Sequence, residues 1–235
     1  MACTRVGLLL LLSVPVGCAA APPAFTRIGM LPPGSRFVVH TLRGDINAYA
    51  PRRDQPPSEY TIEGYGPANA TIIRRTGRTI SVDATAGGVS YLIRGSQGSI
   101  LTLYTQQGSI NVADVDAVVN ARDDRGDVTM LIPQYGNASV GEGNLEVTFA
   151  STTWPGTLHF TVARGDVTLY VNEHAAARVH LHTDRGTIYT DFPLHGGANG
   201  SSETINGAIN GGAACAVEVE VGAGAIRLLQ LKPQV

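Results

Sequence analysis

A 235-residue chain with 17 basic and 19 acidic side chains has a net charge of −2, too little for an electrostatic grip on nucleic acid. Hydrophobic residues at 43% against 15% charged exclude a disordered chain and leave room for one elongated or two compact domains. No composition break or long linker follows residue 36, so one domain over residues 37–235 is expected.

Met1 to Cys18 has the form of an export signal. Arg5 supplies the positive start, and Val6 to Val14 is an apolar run too short to span a bilayer. It ends in Val14-Pro-Val-Gly-Cys18, which resembles a bacterial lipoprotein signal, where a small residue precedes a cysteine that is acylated and becomes N-terminal. Gly17 and Cys18 fit; Pro15 departs from the usual leucine. The expectation is a signal peptide over residues 1–17, lipidation of Cys18, and attachment to a bacterial membrane in the cell envelope. Ordinary cleavage near Ala20 to Ala24 would instead give a secreted or periplasmic protein. Losing residues 1–17 removes Arg5, leaves a net charge of −3, and leaves no polybasic run to hold an anionic membrane. Cys3 lies in the signal, so an acylated Cys18 leaves Cys215 unpaired and excludes a disulfide framework. Cys215 reads as a small core residue. Residues 18–36 hold four prolines and no alternation, and read as a tether.

Strands are expected at 37–41, 45–49, 59–63, 70–75, 79–83 and 89–93, with a polar loop at 51–58. From residue 99 the pattern tightens through Ile100–Tyr104, Ile110–Val112, Val128–Ile132 and Leu145–Phe149. It is clearest in Leu158 to Phe192, where one phrase occurs twice at an offset of 21 residues. Leu158-His-Phe-Thr-Val-Ala-Arg-Gly-Asp-Val lies over Val179-His-Leu-His-Thr-Asp-Arg-Gly-Thr-Ile. Alternation puts Leu158, Phe160 and Val162 on one face, and after the Arg-Gly turn Val167, Leu169 and Val171 share a face. Residues 193–204 read as a flexible loop, and Ile205 to Leu229 as two last coils.

The glycines Gly108, Gly126, Gly143, Gly165, Gly186, Gly207 and Gly224 stand 18, 17, 22, 21, 21 and 17 residues apart. Small Gly corners at this spacing predict an all-β chain, a single elongated parallel β-solenoid with coils of ~20 residues. The alternative is an antiparallel β-sandwich, because strand, short Gly turn, strand is also a hairpin signal.

The repeated Gly-x-[Ile/Val]-x-apolar phrases, Ile205-Asn-Gly-Ala-Ile-Asn-Gly-Gly and the closing Gly224-Ala-Ile-Arg-Leu resemble the bacterial putative-adhesin family and the related head-GIN-domain proteins, over residues 37–230. The resemblance implies a β-solenoid on an exported or membrane-attached protein. It brings no catalytic residues.

Candidate sites have bland readings beside them. Three Arg-Gly-Asp triplets, Arg43–Asp45, Arg125–Asp127 and Arg164–Asp166, read as integrin ligands or as corner residues of the repeat; the corner reading is preferred, and Glu in place of all three aspartates is then expected to change stability little. Asp114, Asp116, Asp123, Asp124 and Asp127 form the densest acidic stretch, suited to calcium or to a glycan-cleaving acid pair, or simply solvated. His180 and His182 share a face and could hold a metal with His159 one coil away, or form a polar stripe. The expectation is a non-enzymatic envelope protein for adhesion or scaffolding, with no cofactor, no metal and no catalytic residue, held to the membrane by its lipid. Its partner is expected to be an envelope protein or a glycan. The alternative is a polysaccharide-active enzyme on the same scaffold.

Overall fold

In a computed structural model describing residues 22–67, 69–132, 135–212 and 214–231, the chain is all β, with 21 strands and no helix among the described residues. The expected signal peptide and Cys18 lie outside those residues. Eight pairs of consecutive strands form the body. They are β2 (Arg36–Thr41) with β3 (Ile46–Tyr49), β6 (Thr79–Ala84) with β7 (Ser90–Arg94), β8 (Ser99–Thr105) with β9 (Ile110–Ala113), and β10 (Ala117–Arg125) with β11 (Val128–Ile132). The others are β12 (Tyr135–Glu142) with β13 (Leu145–Phe149), β14 (Thr157–Arg164) with β15 (Val167–Asn172), β16 (Ala177–Thr183) with β17 (Ile188–Thr190), and β20 (Ala216–Ala223) with β21 (Ile226–Leu231). Around them lie β1 (Phe25–Met30), β4 (Glu59–Tyr65), β5 (Thr71–Thr76), β18 (Gly196–Asn199) and β19 (Ser202–Ile209).

The first strand of each pair joins an 11-stranded sheet, ordered β18-β19-β16-β20-β14-β12-β10-β8-β2-β6-β5. The second joins a 10-stranded sheet, ordered β1-β4-β7-β3-β9-β11-β13-β15-β21-β17. Neither sheet closes on itself, and both are mixed. The body strands pair in parallel, as β8, β10, β12 and β14 do. Antiparallel pairs occur at the ends, where β1 meets β4, β4 meets β7, β5 meets β6, and β19 meets β16 and β18. Parallel pairing follows from the chain's path: each return to a sheet has first passed through the other.

Alternation decides which side chains are inside. Leu158, Phe160 and Val162 of β14 and Val167, Leu169 and Val171 of β15 are buried in one cluster fed by both sheets. Trp154 is buried edge-on against Phe149, with ring centres 4.8 Å apart, and its indole N–H donates to the Ala216 carbonyl at 3.0 Å. The buried thiol of Cys215 packs on the same residue, 3.1 Å from the Trp154 carbonyl.

The turns from one sheet to the other form a glycine column. A Cβ on Gly108, Gly126, Gly143, Gly165, Gly224 or Gly186 would strike the carbonyl of the preceding corner glycine, namely Gly44, Gly108, Gly126, Gly143, Gly165 and Gly224 in turn. The corner therefore requires glycine because the next chain's backbone occupies the Cβ position.

Several expectations change. The two copies of the phrase at 158 and 179 are not neighbours, because β20 lies between β14 and β16. Gly207 is not a corner; it lies inside β19, where a Cβ would meet Leu194. Residues 193–204 are not simply a loop: Gly200 and Ser201 turn β18 into β19, a two-residue Gly-Ser hairpin loop with positive φ at Gly200, hidden in a Gly-rich run. Ile205 to Ile209 is antiparallel rather than a coil. The tether expected over 18–36 contains strand β1, whose prolines at 32 and 33 follow it rather than interrupt it. The body strands pair in parallel, not antiparallel as in the alternative sandwich, within two large mixed sheets that share one core.

Candidate functional site

Side chains at every second position of the 11-stranded sheet point outward, and the register lines them into rows across the strands. One row runs His40, Tyr104, Arg122, Ser139, Thr161, Glu220, His182 and Thr204. Its middle is low because Ser139 and Thr161 are small, and Gly141, Ala163 and Gly222 continue the floor toward the corner. The result is a groove of about 450 Å³ across five strands. Arg122 and Asp124 form one wall; His182, Asp184 and Glu220 form the other.

The first wall is tied together by hydrogen bonds and ring contacts. The Tyr104 hydroxyl donates to Asp124 Oδ2 at 2.7 Å, and Arg122 donates through Nε and Nη2 to Oδ1 at 3.2 Å. Those donors, Tyr104 foremost, hold the Asp124 carboxyl below the usual range. The Arg122 guanidinium lies 5.5 Å from the Tyr104 ring centre, and Tyr104 stacks on His40 at 4.8 Å. In the second wall, His182 contacts Asp184 Oδ1 through Nε2 at 3.1 Å and Thr204 through Nδ1 at 2.8 Å. Arg122 thus pairs with Asp124 in the first wall, and His182, Asp184 and Glu220 set donors and acceptors side by side in the second. Large exposed apolar side chains lie elsewhere among the described residues: Ile28, Met30, Leu131 and Tyr189 on the 10-stranded sheet and Ile72 near one end.

The histidines are distributed along the sheet. His159 Nδ1 lies 3.0 Å from Glu218, which occupies the register position between His159 and His180. Among the described residues no three His, Cys, Asp or Glu side chains are placed to hold a metal. The acidic stretch is split by β10. Asp114 and Asp116 stand before that strand, and Asp124 and Asp127 at its far end, about 26 Å away by strand rise. Asp123 faces the core and is 1% exposed.

The Arg-Gly-Asp triplets are corner structure. Their glycines belong to the column. Asp45 accepts the Ser109 N–H at 2.9 Å, Asp127 the Asn144 N–H at 2.7 Å, and Asp166 the Ala225 N–H at 2.8 Å. Arg125 and Arg164 flank Glu142 and pair with it. Sequence reasoning found these residues through the repeat, but missed the groove, whose floor is defined by what Ser139, Gly141, Thr161, Ala163 and Gly222 lack. The signal available was the run of small residues in 136–143.

No protein-family model matches the chain, and no curated protein matches it. Among solved structures, the chain shares its fold with a putative cell adhesion protein from Clostridium sporogenes, at a TM-score of 0.50 and 10% identity, covering 88% of this chain and 99% of that one. A putative adhesin from Bacteroides fragilis aligns at 12% identity and a TM-score of 0.31, covering 88% of this chain and 96% of that one. One from Parabacteroides distasonis aligns at 10% and 0.26, covering 87% and 96%. At 10% identity, the likeness to the Clostridium sporogenes protein is one of fold alone.

Proposed function

We propose that the chain is a non-enzymatic, exported envelope protein of the putative-adhesin kind: a parallel β-solenoid, lipid-anchored at Cys18, that binds a hydroxyl-rich glycan chain in the groove of its 11-stranded sheet. The groove carries this reading. Its small polar floor, and walls that set donors beside acceptors, suit a ligand rich in hydroxyls, which needs many of both. A protein partner would call for apolar anchors, and those lie away from the groove. The adhesion protein from Clostridium sporogenes and the expected export signal support the surface location. The parallel registers and the glycine column support the solenoid. Catalysis of glycan cleavage would require a protonated carboxyl open to the groove; the Asp124 carboxyl is pushed the other way, and the Asp123 carboxyl, raised to about 7, faces the core at 1% exposure.

The test displays the full chain on cells and on vesicles. Cys18→Ser should release it from membranes into the aqueous phase. Thr161→Trp, which fills the groove, should weaken retention on a glycan array at least tenfold, while Thr129→Trp on the opposite sheet leaves it unchanged. Binding only to a protein, or glycan binding indifferent to Thr161→Trp, would overturn the groove reading.

A further inference from the structure

We infer that Asp123 is a proton-dependent latch in the glycine column, a carboxylic acid doing the task that threonine does elsewhere, and that its ionisation loosens the corner at Gly126. The inward residue three positions before each corner glycine forms one row: Thr41, Thr105, Asp123, Val140, Val162, Val221 and Thr183. Every threonine in the row donates to a carbonyl on the preceding corner. Thr41 reaches Val89 O at 2.7 Å, Thr105 reaches Gly44 O at 3.1 Å, and Thr183 reaches Gly224 O at 2.9 Å. The same rule gives Asp123 the carbonyl of Gly108. Gly108 O and Asp123 Oδ2 both lie within 3.0 Å of where a Cβ on Gly126 would stand, so they line one gap.

Only a protonated carboxyl can donate across that gap. Asp123 Oδ1 accepts the Arg125 N–H at 2.9 Å, while Oδ2 is buried and has no donor to satisfy it as an anion. The charged groups that face it are carboxylates: Asp124 and Asp127 from its own strand and corner, and Asp45 from the corner of β2. Its strand neighbours Thr105 and Val140 are uncharged. Burial first, with those carboxylates adding to it, raises Asp123 to about 7 in spite of the Arg125 N–H.

The sign of the effect follows. An unfolded aspartate titrates at ~3.9. Between there and about 7 the folded chain holds a proton that the unfolded chain has released. Stability is therefore greatest at the acidic end of this window, falls as pH rises through it, and is level above it; the unfolding constant rises by up to ~tenfold per pH unit.

The experiment is urea unfolding of the full chain from pH 4.5 to 8.5, beside Asp123→Thr and Asp123→Asn, with a carbon-13 titration of the native carboxyl. The parent should lose stability with rising pH, and both variants should lack that component, being more stable than the parent at pH 8. The native carboxyl should titrate near neutrality. A carboxyl that titrates near 4, or variants that keep the parent's full pH dependence, would overturn the latch. Should Asp123→Thr not fold, the isosteric Asn variant and the titration of the parent still decide.

Discussion

The middle of the molecule and its two ends are built from the same strand pairs but threaded differently. From β8 to β15 each pair lies beside the one before it in the chain, and contacts such as Asp166 to Asn144 span 22 residues. At each end the order is swapped. β2 and β3 sit inside β6 and β7, and the C-terminal pair β20 and β21 is inserted between β14–β15 and β16–β17. Contact between Ala225 and Asp166 there spans 59 residues. The swap gives these terminal body strands a ladder on both sides, where an edge strand would fray. The 11-stranded sheet then ends in antiparallel hairpins, β5 with β6 and β18 with β19, which interrupts the parallel pattern another copy could extend. Local repetition builds the middle, and distant closure builds the ends.

The sharpest break in this comparison is Gly165→Val. Gly165 has φ 134° and faces the Gly143 carbonyl, so Val must push the ladders of both sheets apart at once. A loss of more than ~4 kcal/mol, or failure to fold, is expected by urea titration. Gly197 in β18 has open space where its Cβ would go, and Gly197→Ala should stay within ~0.5 kcal/mol as the matched end control. Equal losses at both sites would remove the distinction between column and cap.

A smaller effect isolates the inserted C-terminal pair. Trp154 fixes it through the indole bond to Ala216 and the contact with Cys215. Trp154→Phe leaves the Ala216 carbonyl without that donor in a buried place, at a cost of ~2 kcal/mol. Hydrogen exchange should quicken in β16, β20 and β21 and remain slow in β10 and β12. Uniform quickening would mean that the ends and middle open together.

The sequence announced the middle more clearly than the ends for a physical reason. Corner glycine and alternating apolar residues are local demands of each strand pair, so Leu158–Val171 could be assigned to faces from alternation alone. Where a strand sits in the sheet depends on partners far along the chain. Nothing near Val217 says that it will lie between Leu158 and Val179. β12 was missed because its inward positions include Gly136 and Ala138, too small to mark a strand by hydrophobicity. The same smallness hid the groove. Asp123 was legible as an acid in a cluster, but its inward orientation needed only the alternation of Ala117, Val119 and Ala121 carried forward by two residues.

The smallest expected effect concerns the aspartates of the Arg-Gly-Asp triplets, and it revises the expectation that Glu would be tolerated there. Each carboxylate accepts a backbone N–H of the adjoining corner at 2.7–2.9 Å, a reach set by the short aspartate side chain. Replacing Asp166 by Ala or Glu removes that acceptor. The Ala225 N–H lies at a partly buried corner where water can substitute in some measure, so the loss should be ~1 kcal/mol at pH 7, by urea midpoint. The Ala225 N–H, then Arg227, hold the Asp166 carboxyl below its ordinary range. Its contribution is thus present above ~3.9 and fades as pH falls through the lowered folded value. The gap between parent and Asp166→Ala should therefore narrow as the titration is carried from pH 7 into strong acid. Surface binding should persist in the triple variant of Asp45, Asp127 and Asp166. Binding abolished with the fold intact would return these triplets to the role of ligand, and a gap unchanged in acid would remove Asp166 from the ladder.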